Sequence, residues 1–179
     1  MRHKPFKLFF LFSIVLITEQ LLAQKSIAPK PLYDDPVYHG AADPVIIYNK
    51  QKKKWWMFYT NRRASIEDST VKWVHGTRLG IAESGDGINW KYLDTANVNY
   101  RPDQGYTFWA PDIIEARGSY HMYLTYVPGI FSDWNHPRVI VHLTSKDLKN
   151  WKYESILKLV NEKVIDASVF KVNDSLWRL

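Results

Sequence analysis

Three aspartates open three apolar segments of the chain, and their residue type and spacing could support chemistry. Asp43, Asp112 and Asp166 each precede a short apolar run. A carboxylate at the start of a buried strand is costly and is seldom kept without a role. Carboxyl groups that meet in one cleft can divide acid–base work, because one protonates a departing oxygen while another activates water, as glycosidic bond cleavage requires. A third acid nearby can raise a neighbour's pKa by repulsion.

A second motif recurs between the segments that the aspartates open. The sequence SGDGINWKY at 84–92 returns as SKDLKNWKY at 145–153, a displacement of 61 residues. Short polar side chains of this kind bond to nearby backbone groups, so the motif predicts a tight turn between two strands. We expect the tryptophan near the end of each copy, Trp90 or Trp151, to begin the next strand and to pack between neighbouring sheets.

The two motifs together predict a four-stranded repeat unit that resembles a β-propeller blade. Because the first strand of each blade lines the central channel, the three aspartates are expected to hold equivalent positions and to converge. The chain supplies about two and a half units, whereas a propeller closes with about four to eight blades. We therefore expect the chain to be the N-terminal part of a larger propeller. The alternative is a complete sandwich of about ten strands.

The composition favours an all-β protein. The chain has 179 residues, of which 46% are hydrophobic and 15% aromatic; this is enough for a buried core, and aromatic residues pack well on a pleated surface. No amphipathic helical periodicity is evident after the N-terminal segment. The basic run 50–54 lies between two strand-like segments, which favours a hairpin turn over a nucleic-acid site, so no nucleic-acid partner is expected.

Residues 1–23 have the pattern of an export signal, with Arg2, Lys4 and Lys7 ahead of an apolar run at 8–17. That run is much shorter than the ~20 residues that span a bilayer. It therefore favours cleavage over an uncleaved membrane anchor. The chain contains no cysteine, which excludes disulfides and a lipid-anchored cysteine. We expect residues 24–179 to form the N-terminal part of a secreted or periplasmic propeller domain that has no membrane partner after cleavage.

Four kinds of segment carry a family resemblance through their order and spacing. They are ADP at 42–44, WAPD at 109–112, IDASVF at 165–170 and the two Ser-x-Asp-x-x-Asn-Trp turns. Together they resemble the blade motifs of glycoside hydrolase family 43 and its invertase and levansucrase relatives. The resemblance implies an all-β, five-bladed β-propeller, of which about two and a half blades are present. It covers about residues 35–179.

The resemblance also implies roles for the acidic residues. Asp43 matches the first-blade aspartate that is the general base of inverting members and the nucleophile of retaining relatives. Asp166 matches the third-blade aspartate that tunes the pKa of the acid and holds substrate, although Ala167 replaces the usual proline. Asp112 is expected to contact substrate. The family's general acid is a glutamate commonly followed by glycine, and no such pair occurs here. The acid is therefore expected beyond Leu179, and this segment alone is expected to be inactive.

Sugar pockets also need flat aromatic faces and hydrogen-bond donors. Trp109 is the candidate platform, with core packing as the alternative, and Arg62 is a candidate donor, with a plain surface role as its alternative. The loop 131–138 adds Trp134 and His136 as candidate substrate-binding residues. No metal-ligand spacing is present, so no cofactor is expected, although some family members carry a structural calcium.

These features favour a secreted glycosidase that acts on plant or algal polysaccharide or on oligosaccharides derived from it. The first alternative is a propeller that binds carbohydrate without cleaving it. A WD-repeat or kelch propeller is disfavoured because no Trp-Asp strand end or paired glycine occurs. A sialidase-like propeller is disfavoured because Trp90 and Trp151 come one residue early for its turn motif.

Overall fold

The computed structural model describes residues 27–101 and 105–179, so the predicted signal peptide 1–23 lies outside the described residues. Within them every regular element is a strand, apart from one turn of 3-10 helix at Lys72–Val74. The strands are β1 (Ala41–Asn49), β2 (Lys54–Asn61), β3 (Gly80–Ser84), β4 (Lys91–Thr95), β5 (Asn97–Asn99), β6 (Thr107–Ala116), β7 (Ser119–Val127), β8 (Val139–Ser145), β9 (Asn150–Ile156), β10 (Phe170–Lys171) and β11 (Trp177–Arg178). No helix in these ranges is long and apolar enough to cross a membrane.

Two antiparallel meanders form the predicted repeat units. Strands β1 to β4 make a four-stranded sheet in sequence order, which we call blade one. Strands β6 to β9 make blade two, and β5 joins its outer edge by pairing parallel to β9. A third unit begins with the β10–β11 hairpin. The basic run forms the turn between β1 and β2, as its position in the sequence predicts.

The Ser-x-Asp motif folds as the predicted turn in both blades. The carboxylate of Asp86 accepts hydrogen bonds from the backbone N–H groups of Ile88 and Asn89, each at 2.8 Å. The carboxylate of Asp147 accepts the equivalent bonds from Lys149 and Asn150 at 2.9 and 2.8 Å. Hydrogen bonds lower the pKa of Asp86. Burial raises the pKa of Asp147, but its hydrogen bonds together outweigh burial, so its pKa is lowered as well. The turn is thus built by side chains that satisfy local backbone donors.

The main core lies between the two blades. Trp151 at the start of β9 is 1% exposed, and its ring meets Phe58 of β2 edge-on with centroids 6.0 Å apart. The predicted packing of this tryptophan between sheets is confirmed. Trp90, its counterpart in blade one, packs instead on the opposite face of β2, against a cluster that includes Met57 and Tyr59.

A segment ahead of β1 is fastened to blade one by a buried carboxylate. Asp35 is fully buried, and its Oδ2 accepts the hydroxyl of Tyr59 at 2.5 Å. Its Oδ1 accepts the backbone N–H groups of Val37 and Tyr38 at 2.9 and 2.7 Å. These three donors stabilise the buried charge and fix the path of the chain into β1.

Candidate active site

One cavity joins the starts of the blades. It has a volume of about 300 Å³ and is lined by Asp43, Pro44, Val45, Ala110, Pro111, Asp112, Asp166, Ala167 and Ser168. The first strands β1 and β6 supply two of its walls, and the segment ahead of β10 supplies the third. The structure therefore brings Asp43, Asp112 and Asp166 around a common space. A larger depression of about 550 Å³ lies over the loop 64–73, away from these residues.

A repeated backbone distortion aims the residues at the cavity. Asp43, Ala110 and Asp166 have φ angles of 49°, 42° and 58°. This left-handed conformation costs a non-glycine residue about 1–3 kcal/mol and persists where the surrounding structure imposes it. In β1 and β6 the pairing register shifts at the same point, as expected for a bulge. The N–H of Ala110 is held by the hydroxyl of Thr60 at 2.8 Å.

These distortions define which residues are equivalent between blades, and they correct one sequence expectation. The counterpart of Asp43 in blade two is Ala110, not Asp112. Asp112 lies two residues later, at the position of Val45 and Ser168. An alignment of the blades on their acidic residues hides this offset of two residues. An alignment on Pro44 and Pro111, which follow Asp43 and Ala110, shows it.

Arg62 lies at the end of β2 and pairs with Asp43. Its Nη2 is 3.0 Å from Asp43 Oδ2, and both side chains are somewhat more than one-third exposed. The backbone N–H of Arg62 donates to the carbonyl of Gly40 at 2.9 Å, which anchors the residue beside β1. Because the pair is open to solvent, its Coulomb attraction is partly screened. The guanidinium orients the Asp43 carboxylate at the mouth of the cavity.

Asp166 has a different environment. Asp166 is still exposed, but its partial burial raises its pKa, and repulsion from Asp43 raises it further, while the charge of Arg62 acts in the opposite direction. A carboxyl group whose pKa is raised, beside a second carboxyl group in the same cavity, is an arrangement that acid–base chemistry can use. The backbone N–H of Asp166 donates to the hydroxyl of Thr125 at 3.2 Å.

The carboxylate of Asp112 accepts a hydrogen bond from the backbone of a distant segment. Its Oδ2 accepts the N–H of Val169 at 2.5 Å, a bond that joins β6 to the segment before β10. The charge of Asp112 also raises the pKa of Tyr123, after the larger effect of burial. Thr125 was not among the residues proposed from the sequence, because a single threonine in an apolar strand gives no functional signal.

The remaining sequence candidates are Trp109, Trp134 and His136. They form an aromatic cluster with His75 and Phe131, which we call the rim cluster. Trp109 is 8% exposed, and its indole N–H donates to the carbonyl of Val74 at 2.7 Å. Trp109 is therefore a core residue of the rim cluster. Core packing was the alternative to its role as an aromatic platform for a sugar ring. His136 is 1% exposed, and its Nε2 lies 3.2 Å from that of His75. Trp134 is 56% exposed and covers this cluster from outside.

The described residues do not form a cation site. Among residues 27–101 and 105–179, no three His, Asp or Glu side chains converge in a geometry that could hold a metal ion. The residues present therefore do not fit the calcium that some family members carry, and we assign no chemistry to it.

Comparison with known proteins gives consistent matches. The family model described as glycosyl hydrolases family 43 matches residues 33–178. A thermostable family-43 glycoside hydrolase matches with a TM-score of 0.55 and 19% identity, covering 80% of this chain and 42% of that chain. An endo-arabinase from Bacteroides thetaiotaomicron matches with a TM-score of 0.52 and 19% identity, covering 80% and 45%. A β-xylosidase/α-arabinofuranosidase from a compost microbial metagenome, in complex with xylotriose, matches with a TM-score of 0.52 and 20% identity, covering 79% and 42%.

The chain spans less than half the length of these solved structures. No curated protein matches it significantly. At these identities the structural likeness shows the fold, and it confirms the all-β propeller prediction against the sandwich alternative.

Proposed function

Because the chain belongs to glycosyl hydrolase family 43, we propose that it is part of a secreted or periplasmic enzyme that cleaves O-glycosidic bonds of plant or algal polysaccharides or oligosaccharides. The observation that carries the proposal is the cavity that Asp43, Asp112 and Asp166 line together. Glycosidic cleavage needs paired carboxyl groups on either side of the scissile bond. Export is proposed from the basic and apolar pattern of residues 1–23.

The proposed roles follow from the surroundings of each acid. Asp43 is the general base or nucleophile, since Arg62 orients its carboxylate at the cavity mouth. Asp166 assists the acid–base pair by its charge and by holding substrate. No glutamate is among the cavity-lining residues. The general acid is therefore proposed to be a glutamate outside residues 1–179.

The proposed substrate is a pentose or furanoside linkage. The names of two structural neighbours, an endo-arabinase and a β-xylosidase/α-arabinofuranosidase, make such linkages the first to test. Trp134 is the proposed aromatic contact for a sugar ring because its side chain is exposed beside the rim cluster. His136 is buried within the rim cluster, and the indole N–H of Trp109 joins the cluster to the backbone carbonyl of Val74.

The test is a hydrolysis screen of the full-length gene product on aryl arabinofuranosides, xylosides, galactosides and fructans. Asp43→Asn should reduce turnover roughly 10²–10⁴-fold, the usual contribution of a general base. Asp174→Asn is the matched control because that carboxylate is fully exposed in the β10–β11 turn, where it pairs only with Lys171. Turnover that survives Asp43→Asn would refute the assigned role. Saturable sugar binding without turnover would support the non-catalytic alternative.

A further inference from the structure

The segment 162–169 crosses one end of blade two through a series of hydrogen bonds. The N–H of Arg138 donates to the carbonyl of Glu162 at 2.7 Å, and the N–H of Val164 donates to the carbonyl of Arg138 at 3.3 Å. Further along, Asp166 N–H donates to Thr125 Oγ1 at 3.2 Å. The segment ends where Val169 N–H donates to Asp112 Oδ2 at 2.5 Å.

These contacts follow the order of the strands in blade two. Arg138 immediately precedes β8, Thr125 lies near the end of β7, and Asp112 lies in the middle of β6, directly after its bulge. Because adjacent strands are antiparallel, Arg138 and Thr125 lie at the same end of the blade, and Asp112 lies one step inward, paired with Tyr123 of β7. The segment therefore runs inward across the blade to β6, which packs against β1. That path delivers Asp166 to the cavity wall opposite Asp43.

Little apolar burial holds this crossing segment in place. Glu162, Lys163 and Ile165 are exposed, and Val169 is its only fully buried side chain. Hydrogen bonds therefore define where the segment lies more than packing does. The bond from Val169 to Asp112 is the shortest of these four hydrogen bonds.

We infer that Asp112 and Thr125 are positioning residues that hold Asp166 beside Asp43 by bonding the backbone of the crossing segment. This role differs from the substrate contact expected of Asp112 from the sequence. Its catalytic consequence rests on the proposed function, whereas the placement of Asp166 does not. Asp112 acts through a backbone N–H, so a neutral acceptor of the same shape should replace much of its effect.

The first test measures placement without any substrate. Asp112→Ala removes the acceptor, whereas Asp112→Asn removes the charge but keeps an acceptor oxygen. We expect hydrogen exchange at the Val169 amide to accelerate in Asp112→Ala and to remain slow in Asp112→Asn. A carboxyl NMR titration should show the pKa of Asp166 falling in the alanine variant, because release of the segment moves Asp166 away from the repelling charge of Asp43 and out of its partly buried surroundings. A pure charge effect would instead shift both variants equally and would overturn the inference.

The second test separates positioning from substrate contact in the full-length gene product. Displacement of a catalytic group by about 1 Å can cost about 10²-fold in rate, so Asp112→Ala should lower kcat by up to about that factor with KM nearly unchanged. Asp112→Asn should recover most of the lost kcat. Thr125→Val, which keeps the side-chain shape, should lower kcat in the same direction. Thr144→Val is the control, because Thr144 bonds the exposed Glu154 elsewhere in blade two.

The outcomes are separable from those of the glycosidase screen. A raised KM with unchanged kcat in both Asp112 variants would overturn the positioning role in favour of substrate contact. If Asp112→Ala does not fold, Asp112→Asn and Thr125→Val still give the exchange and titration results. If the wild-type protein hydrolyses no glycoside, the proposed function fails, and amide exchange with the Asp166 titration still decides whether Asp112 holds the segment.

Discussion

At the scale of single residues, Asp43 and Asp166 share a backbone conformation but differ in their surroundings. Both adopt a left-handed φ at the start of a blade. Asp43 is paired with Arg62, whereas burial and the nearby charge of Asp43 act on Asp166. The difference between the two acids is thus set by neighbours and not by the repeat itself.

Two substitutions should move the pKa of Asp166 in opposite directions. Asp43→Asn removes a repelling charge, so the pKa of Asp166 should fall. Arg62→Gln removes an attracting charge, so the same pKa should rise further above its ordinary value of 3.8. Titration of the side-chain carboxyl by NMR would measure both effects, and it needs no substrate.

Arg63→Gln is the control for that pair of variants. The guanidinium of Arg63 bonds the backbone carbonyls of Lys72 and His75 instead of facing the cavity. It should therefore leave the pKa of Asp166 close to the wild-type value. Shifts of the same sign in Asp43→Asn and Arg62→Gln would contradict the proposed electrostatic coupling.

Sequence reasoning reached the acids of the site but not the contacts that hold them. Asp43, Asp112 and Asp166 each open an apolar run, and that pattern predicted their convergence. The bond from Val169 to Asp112 joins residues 57 positions apart. Such a contact between a side chain and a distant backbone group leaves no periodic trace in the sequence, so it could not be anticipated.

At the scale of elements, a buried histidine pair links loops from the two blades. His75 follows the 3-10 helix of blade one, and His136 lies in the loop before β8. Their Nε2 atoms are 3.2 Å apart. Burial is the main cause that lowers the pKa of each ring below 6.5. Nearby charges also act on the pair; they belong to Arg63, Arg138, Asp133 and Lys163.

This pair should make stability depend on pH. Below about pH 6.5 the unfolded chain binds protons that the folded histidines resist, so the stabilisation present above that pH is lost as the pH falls. Each histidine that stays unprotonated in the folded state can contribute a slope of up to about 1.4 kcal/mol per pH unit to the free energy of unfolding. The measurement is the free energy of unfolding in urea between about pH 5 and 7.5.

His75→Gln should flatten this slope more than His39→Gln does, because His75 is buried whereas His39 is exposed. Part of the slope should persist in His75→Gln, since burial also lowers the pKa of His142. Equal slopes in the wild type and His75→Gln would show that the pair does not carry the effect.

The regular elements were predictable and the irregular ones were not. The hairpins and both Ser-x-Asp turns follow from apolar runs and local turn chemistry. Strand β5, by contrast, is only the triplet Asn97–Asn99, in which Val98 is flanked by two asparagines. It is a strand because its backbone meets the open edge of β9, and tertiary pairing of this kind overrides local propensity.

At the scale of the whole molecule, the two blades share one core. The main cluster contains Trp56, Phe58 and Ile81 from blade one together with Met122, Leu143 and Trp151 from blade two. Neither sheet can bury its apolar face without the other. The blades should therefore unfold together and not as separate units.

Trp151→Ala is the sharpest test of this shared core, because its ring is buried where β9 meets Phe58 of the other blade. Truncating a buried tryptophan costs about 3–5 kcal/mol through lost transfer energy and the cavity left behind. Trp90→Ala is the matched control: Trp90 holds the same position of the repeat but is only partly buried, so its loss should cost less. Urea unfolding followed by far-UV circular dichroism and by tryptophan fluorescence should give one coincident transition in each variant. Two separate transitions, or equal losses of unfolding free energy for the two tryptophan variants, would show that the blades are stabilised independently. A single transition whose free energy falls mainly in Trp151→Ala requires the contact between the blades to stabilise both sheets.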